Sequence, residues 1–158
     1  MRTLMTHCAT MMVTLLLLFP LTSVAAAPAD PCTLLTTEQV SAALGGAVGP
    51  AKPLGTGVCQ WTQQGKPGDV LLKLDVNLVT PERFTRLKTV TIGTVTTVGG
   101  LGDDAFYSTF TQGHTTLTTL NIKKGTAAVT IRVSGGTKPA EDYQAKEKAV
   151  GLALLSKL

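Results

Sequence analysis

The chain has 158 residues, 44% of them hydrophobic and 15% charged, with a formal net charge of +4 at pH 7. Nucleic-acid-binding proteins carry clustered Lys and Arg, whereas the basic residues here are sparse and mixed with acidic ones, so the composition argues against nucleic-acid binding.

The first residues have the pattern of a secretory signal peptide. Arg2 precedes an apolar run from Met11 to Phe19, and small residues follow at Ala25, Ala26 and Ala27. The run is much shorter than the roughly 20 residues that a membrane-spanning helix needs. We therefore predict a leader over residues 1–27 and no transmembrane segment after it.

The cleavage point has two alternatives. A cut after Ala27 satisfies the small-x-small pattern but leaves Pro28 next to the cut, and a cut after Ala26 is the other choice. Either cut removes Arg2 and lowers the formal charge from +4 to about +3. The length that is left fits one domain, which we place at residues 28–158.

The cysteines indicate the compartment. Neither Cys8 nor Cys32 follows the Leu-x-small sequence of a lipid-anchored precursor, so we expect a free secreted or periplasmic protein. Loss of the leader leaves Cys32 and Cys59, and an isolated pair in an oxidising compartment predicts a disulfide. Redox pairs are usually two residues apart and zinc needs about four ligands, so we expect no metal and no cofactor.

The first predicted element is a short helix in "LTTEQVSAALGG". Thr36 can cap its N-terminus, Gln39 completes a capping box, and Leu35 can pack on Val40. Gly45 and Gly46 end it.

Two strands are predicted next. "VCQWTQ" is rich in strand-forming residues, and we expect Trp61 to pack in the core near the disulfide, although stacking on a sugar is the alternative reading. Apolar and polar residues alternate in "VLLKLDVNLV" with a period of two, which predicts a strand in a sheet with one solvent-exposed face. Its apolar positions are Leu72, Leu74, Val76 and Leu78, and its polar positions are Lys73, Asp75 and Asn77.

A second short helix begins at Thr80. This threonine can cap it, and Pro81 stands at the first helical position, where its missing N–H does no harm. Phe84 and Leu87 would hold the helix against the protein.

The stretch from Val90 to Ser134 is rich in Thr and Val, which favours strands. A two-residue turn at Lys124-Gly125 would make "TTLTTLNIK" and "TAAVTIRVS" a hairpin that buries one face, with Ile122 opposite Ala127. The other face would carry Thr119, Asn121, Lys123, Thr130 and Arg132. If no helix covers it, this face is a candidate binding surface, and Asn121 and Arg132 are its candidate binding residues.

The chain ends in a predicted long helix. Pro139 stands at its start, and Tyr143, Val150, Leu154 and Leu158 recur every three or four residues as an apolar stripe. The order of elements predicts an α+β fold, with an antiparallel sheet and the N-terminal and C-terminal helices packed on one face.

The stretch "VGGLGDDAFYST" joins a glycine-rich turn to paired carboxylates. Gly99, Gly100 and Gly102 permit positive φ, and Asp103 and Asp104 suit turn hydrogen bonds. One reading is a tight bend that leads into a strand. The other is a binding loop, in which glycines expose backbone donors and the aspartates hold a cation or a basic group, although calcium sites use more acidic ligands than these two.

His114 and Ser108 lie close to these aspartates in sequence, which raises the question of a catalytic triad. The apolar pattern favours a three-residue loop between the strands, because it would bury Phe106 and Phe110 with Leu120 and Ile122, but Ser108 would then face the core. The chain also lacks the G-x-S-x-G elbow of many serine hydrolases. We therefore expect His114 to be a loop-tip residue.

Several stretches together resemble a known family. "DPCTLLTTEQVSAALG", "CQWT", "VGGLGDDAFY", "KKGTAAVTIRV" and the final helix are similar, in that order, to small bacterial envelope proteins grouped as domain of unknown function 3558. The resemblance implies an envelope location and an α+β fold like the Mog1/PsbP-type sandwich. It implies no reaction. Many members are lipoproteins, and the missing lipid-anchor sequence is a departure.

The leading hypothesis is a non-catalytic binding module that contacts another envelope component through the open sheet face and the Gly99 to Asp104 loop. The alternative is a small hydrolase, or an inhibitor of one, that uses Asp103, Asp104 and His114.

Overall fold

The computed structural model describes residues 30–69 and 71–158. The predicted leader and both cleavage points lie outside these residues. The fold is α+β and contains one antiparallel sheet of seven strands in the order β1-β2-β3-β7-β6-β5-β4. The strands are β1 (Lys52–Pro53), β2 (Val58–Thr62), β3 (Lys73–Val79), β4 (Thr94–Thr97), β5 (Asp104–Gln112), β6 (Thr115–Lys124) and β7 (Ala127–Ser134). The helices are a 3-10 turn (Pro31–Thr33), α1 (Thr37–Leu44), α2 (Pro81–Val90) and α3 (Ala140–Leu154).

The main core lies between the sheet and two helices, α1 and α3. We call this side of the sheet the inner face. It buries Leu74 and Val76 of β3, as the period-two pattern predicts, together with Leu120 of β6 and Ile131 of β7. Three of the four predicted stripe residues of α3, Tyr143, Val150 and Leu154, are buried in this core, whereas Leu158 lies beyond the end of the helix and is only partly buried.

Local signals specify α1 completely. The Thr36 hydroxyl accepts a hydrogen bond from the Gln39 N–H, and the Gln39 side chain accepts one from the Thr36 N–H, which is the predicted capping box. Gly45 ends the helix in the left-handed conformation with φ of 77°. Both ends of α1 therefore agree with the prediction.

The opposite side of the sheet, which we call the outer face, is partly covered by α2. The Thr80 cap and Pro81 at the first helical position are as predicted. Phe84 is buried against Phe106 and Ala128, and the two aromatic rings meet edge to face with centroids 5.2 Å apart. This contact fixes α2 to the sheet through a small second core.

The predicted surroundings of Phe106 are wrong. β5 and β6 join through a two-residue turn at Gly113-His114 rather than a three-residue loop, because Gln112 pairs with Thr115. Gly113 has φ of 59° and stands first in the turn, as a type II′ hairpin requires. The resulting register places Phe106 opposite Asn121 on the outer face. The side chains that line the inner face at this position are Ala105, Tyr107, Leu120 and Ile122.

The β6–β7 hairpin has the predicted faces but not the predicted pairs. Its turn is Gly125-Thr126, with Lys124 opposite Ala127 and Ile122 opposite Val129. The prediction placed the turn one residue too early, which shifts each pair by two residues and therefore keeps every side chain on its predicted face. Gly125 takes φ of 57°, so here too the glycine occupies the first turn position.

The predicted disulfide is present. Cys32 and Cys59 are bonded with a Cα–Cα distance of 5.1 Å, which ties the 3-10 turn to β2. Trp61 is 1% exposed and belongs to the main core, so the stacking alternative for this residue is wrong. None of the helices that the structure describes is both long enough and apolar enough to cross a bilayer.

Candidate functional site

The Gly99 to Asp104 loop is packed against the β6–β7 hairpin. Leu101 at its centre is buried in the main core. Gly102 has φ of 69°, and a Cβ at this position would lie 2.5 Å from the Lys123 carbonyl oxygen. The backbone approach therefore requires glycine at 102, whereas a Cβ at Gly99 or Gly100 would meet no atom within 4 Å.

The two aspartates of the loop have partners within the fold. Asp103 accepts a hydrogen bond from the Gly125 N–H at 2.6 Å, and its own N–H donates to the Lys123 carbonyl at 2.8 Å. Asp104 forms an ion pair with Lys88 of α2 at 2.9 Å. These carboxylates therefore connect the loop to the hairpin and to α2.

His114 is not close to the aspartates. It lies in the β5–β6 turn, while Asp104 is the first residue of β5, so the length of the strand from Asp104 to Gln112, about eight residue steps, separates them. At about 3.3 Å per residue this separation is roughly 27 Å. The structure therefore does not bring Asp103, Asp104 and His114 together. Among the described residues there is also no cluster of three His, Cys, Asp or Glu side chains that could hold a metal ion.

Asn121 and Arg132 do lie together. Both line a cleft of about 290 Å³ on the outer face, beside α2. We call it the outer-face cleft. Its lining comprises Asn77, Val79, Arg83, Leu87, Thr91, Ile92, Ser108, Phe110, Leu117, Thr119, Asn121, Thr130 and Arg132. Two candidate residues from the sequence are thus part of one concave surface.

The floor of the cleft is polar because alternate residues of β3, β5, β6 and β7 point outward. Strand register places Asn77 opposite Thr130 and Thr130 opposite Asn121, so these three side chains form a row across the sheet. Ser108 lies opposite Thr119 in the neighbouring row. Each can donate or accept hydrogen bonds.

One wall of the cleft comes from α2 and the segment that follows it. Arg83, Leu87, Thr91 and Ile92 line this wall. The Thr91 hydroxyl lies 3.5 Å from the Ser108 hydroxyl of β5, which holds the end of α2 against the sheet. Sequence reasoning missed these residues, because the side of the sheet on which α2 packs depends on the contact of Phe84 with distant strands.

Asn121 is the most deeply buried polar residue of the floor. It is 1% exposed, and its Nδ2 donates to the Ser108 hydroxyl at 3.3 Å and to the Thr119 carbonyl at 3.2 Å. Its Oδ1 accepts no hydrogen bond from any residue within the described ranges. The floor therefore has a fixed amide with an acceptor left for a ligand.

A second hollow, of about 440 Å³, adjoins the cleft and shares Asn77, Thr119, Thr130 and Arg132 with it. Arg132 donates to Asp75 at 3.1 Å, and the Gln60 side chain donates to the same carboxylate at 2.8 Å. The Arg132 side chain is still 51% exposed. It therefore has donors available to both concavities.

A buried carboxyl group lies on the inner face. Glu147 of α3 is 0% exposed, and burial raises its pKa to about 8. Its Oε1 accepts hydrogen bonds from the Thr118 hydroxyl and the Val133 N–H, while Oε2 has no partner among the described residues. Neither Glu147 nor Thr118 lines the outer-face cleft. Sequence reasoning missed this residue, because a Glu in an amphipathic helix usually faces solvent.

The chemistry of the cleft favours binding. Its lining contains hydroxyls, amides, two arginines and apolar side chains, but no carboxylate, histidine or lysine. Ser108 is hydrogen-bonded to Thr91 and Asn121, and neither of these can take its proton. The arrangement is suited to holding a ligand through hydrogen bonds and apolar contact.

Comparison with protein-family models, with curated proteins and with solved structures finds no match. The resemblance to domain of unknown function 3558, and the Mog1/PsbP-type likeness that it implies, therefore stay predictions.

Proposed function

We propose that this chain is a binding module of the bacterial cell envelope and that it holds its ligand in the outer-face cleft. The observation that carries the proposal is the combination of a polar floor, fixed by Asn121, with exposed apolar side chains at Ile92 and Leu117. Ligand sites in proteins typically combine concavity, apolar lining and a few placed polar groups. The proposal assigns no reaction.

The cleft is favoured over the Gly99 to Asp104 loop as the binding surface. The carboxylates of Asp103 and Asp104 are already bonded to Gly125 and Lys88, so a ligand would have to displace these partners. The polar side chains of the cleft include Arg83, which has no ion-pair partner within the described ranges. We therefore assign the loop a scaffolding role.

The hydrolase alternative has no observation in its favour. It requires Asp103, Asp104 and His114 to act on one substrate, and the length of β5 separates the histidine from the aspartates. An inhibitor would also act by binding, so it too would need the cleft to hold its target.

An extracytoplasmic location is part of the proposal. The Cys32–Cys59 disulfide supports it, because such bonds persist in oxidising compartments. A fusion of residues 1–40 to alkaline phosphatase, which is active only outside the cytoplasm, tests it. We expect activity from this fusion, and a fusion that is inactive although the protein accumulates would contradict the location.

Photo-crosslinking tests the binding site. A photoreactive amino acid replaces Leu117, which lines the cleft and is 43% exposed, or Leu152 of α3, which is 53% exposed and lies away from it. We expect adducts from position 117 in the producing cells and none of the same mass from position 152. Equal labelling at both positions, or none at 117, would refute the proposed site.

A further inference from the structure

We propose that the ligand of the outer-face cleft is an anionic amphiphile: a single acyl chain attached to a negatively charged head group that carries hydroxyls. This inference rests on the proposed function and deepens it by naming the ligand class.

The apolar side chains that line the cleft, which we call the apolar wall, would contact the acyl chain. Ile92 is 79% exposed, Leu117 43% and Phe110 36%, and all three line the cleft. Large apolar side chains that are exposed together at a concave surface indicate contact with an apolar partner. Leu87 extends this apolar lining onto α2. These side chains therefore offer an apolar surface for a hydrocarbon chain.

The charge of the cleft selects an anion. Arg83 and Arg132 line it, and its lining includes no acidic residue. Arg132 shares Asp75 with Gln60, whereas Arg83 forms no ion pair with any residue in the described part of the chain. Guanidinium groups bind carboxylate and phosphate oxygens through paired hydrogen bonds. The head group is therefore assigned a negative charge.

The floor of the cleft suits a head group with hydroxyls. Thr119, Thr130 and Asn77 offer side chains that both donate and accept, and the Oδ1 of Asn121, which no described residue donates to, can accept from a ligand hydroxyl. A bare carboxylate would have no proton to donate to this oxygen. A polyol phosphate has both the charge for the arginines and the hydroxyls for the amides.

The shape of the site favours a small molecule over a protein. The cleft is about 290 Å³, close to the lower end of the usual size for ligand pockets, and the adjoining hollow shares its polar residues. A stable protein partner usually contacts about 20–30 residues on each side, whereas 13 residues line this cleft. Three exposed apolar side chains, Ile92, Phe110 and Leu117, line this one concavity.

The test uses residues 28–158 and three soluble probes. Lysophosphatidylglycerol with a myristoyl chain has the full set of features, lysophosphatidylcholine with the same chain has a zwitterionic head, and glycerophosphoglycerol is the head of the first probe without its chain. Each is titrated below its critical micelle concentration, with calorimetry and the side-chain amide NMR signals of Asn121 and Asn77 as readouts. We expect the first probe to bind and to shift both amides, with binding about tenfold or more tighter than either other probe.

Matched variants show whether the cleft is responsible. Arg83→Gln removes a cleft charge, and Arg86→Gln removes an exposed arginine of the same helix that does not line the cleft. Leu117→Asn and Leu152→Asn form the same kind of pair for the apolar wall. We expect about a tenfold loss of lysophosphatidylglycerol affinity in each cleft variant and no change in either control.

Equal affinity for the two lysolipids, or equal effects of Arg83→Gln and Arg86→Gln, would overturn the anionic assignment. Phosphatidylglycerol vesicles are titrated in parallel, and binding to these vesicles but to no soluble probe would indicate adsorption to a membrane surface and would also overturn it. If no probe binds while Leu117 crosslinks a partner in cells, the ligand class is wrong and the proposed binding site survives. If both experiments fail, the proposed function fails as well.

Discussion

The Glu147 carboxyl of α3 accepts a hydrogen bond from the Thr118 hydroxyl of β6 at 3.0 Å, in the middle of the buried helix–sheet interface. Its second oxygen has no partner within the described residues. Burial raises the pKa of Glu147 to about 8 from an ordinary value of 4.5, because the charged form loses its hydration. The group is therefore neutral in the fold over most of the physiological range.

This pKa predicts how stability depends on pH. Between about 4.5 and about 8 the folded protein binds a proton at Glu147 that the unfolded chain has lost, so the free energy of unfolding should fall as pH rises through this window and level off above it. The fall is on the order of 3–5 kcal/mol. Burial also raises the pKa of Tyr107 to about 12, so this tyrosine does not titrate in the window. Urea unfolding at pH values across this range measures the fall.

Glu147→Gln is the control for this pH dependence. Glutamine keeps an oxygen to accept from Thr118 and Val133 but carries no charge at any pH. We expect the variant to lose most of the fall in stability between acidic and alkaline pH, whatever its absolute stability. A variant that follows the same pH curve as the parent would show that another group is responsible.

Two glycines of the same loop should respond differently to alanine. Gly102 has φ of 69° and its added Cβ would lie 2.5 Å from a backbone oxygen, whereas Gly100 has φ of 77° and its Cβ would meet nothing within 4 Å. Gly100→Ala should cost about 1–2 kcal/mol of unfolding free energy, for the backbone conformation alone. Gly102→Ala should cost roughly 3 kcal/mol or more, because the backbone must also move.

Urea denaturation of both variants decides the point. If the two variants lost equal free energy of unfolding, the backbone conformation alone would explain the loss. The close approach of the loop to Lys123 would then not explain the need for glycine at 102. If neither variant lost stability, the loop would not be packed as described.

The adjacent aspartates form a second pair for comparison. Asp103 accepts from the Gly125 N–H at 2.6 Å, and Asp104 pairs with Lys88, each of the two paired side chains being just over one third exposed. We expect Asp103→Ala to cost about 1–2 kcal/mol, because it removes a charge-assisted hydrogen bond that fixes the β6–β7 turn. Asp104→Ala should cost less than about 1 kcal/mol, as exposed ion pairs usually do.

Hydrogen exchange of the Gly125 amide gives an independent readout. It should become faster in Asp103→Ala and stay unchanged in Asp104→Ala, because only the first variant loses the acceptor of that amide. The reverse order would show that the salt bridge, rather than the Asp103 hydrogen bond, fixes the turn.

Local signals in the sequence predicted the elements whose ends they determine. Three such signals are present in the structure: the Thr36 capping box, the Thr80 cap and the apolar alternation of β3. Each depends only on residues that are close together in the sequence. Both hairpin turns were mispredicted: the β6–β7 turn was placed one residue early, at Lys124-Gly125, and a three-residue loop was expected between β5 and β6 where the turn has two residues. In both hairpins the glycine occupies the first turn position, and the Gly-X signature of a type II′ turn indicates it.

The cleft could be predicted only in part, for a physical reason. Asn121, Thr130 and Arg132 were identified because the strand period of two assigns them to one face. Arg83 and Leu87 join them only because α2 packs on the outer face, and this follows from the contact of Phe84 with Phe106 and Ala128. That contact links distant parts of the chain, so no local pattern of residues in α2 reports it.

The contact between Phe84 and Phe106 therefore gives the last prediction. Phe84 is 2% exposed and belongs to the small outer core, so Phe84→Ala should cost about 3–4 kcal/mol of unfolding free energy. At a temperature where the variant stays folded, amide exchange in α2 should become faster. Exchange in α1 and α3 should change little, because those helices pack on the opposite face of the sheet.

Phe84→Leu is the matched control, because it keeps most of the apolar contact and loses the edge-to-face packing with Phe106. It should cost less than Phe84→Ala and keep α2 protected. Since α2 supplies one wall of the outer-face cleft, lysophosphatidylglycerol affinity should fall in the alanine variant and be largely retained in the leucine variant. If α2 exchanges freely in Phe84→Ala while that affinity is unchanged, the ligand does not contact the helix, and the cleft must be redrawn around β5 and β6 alone.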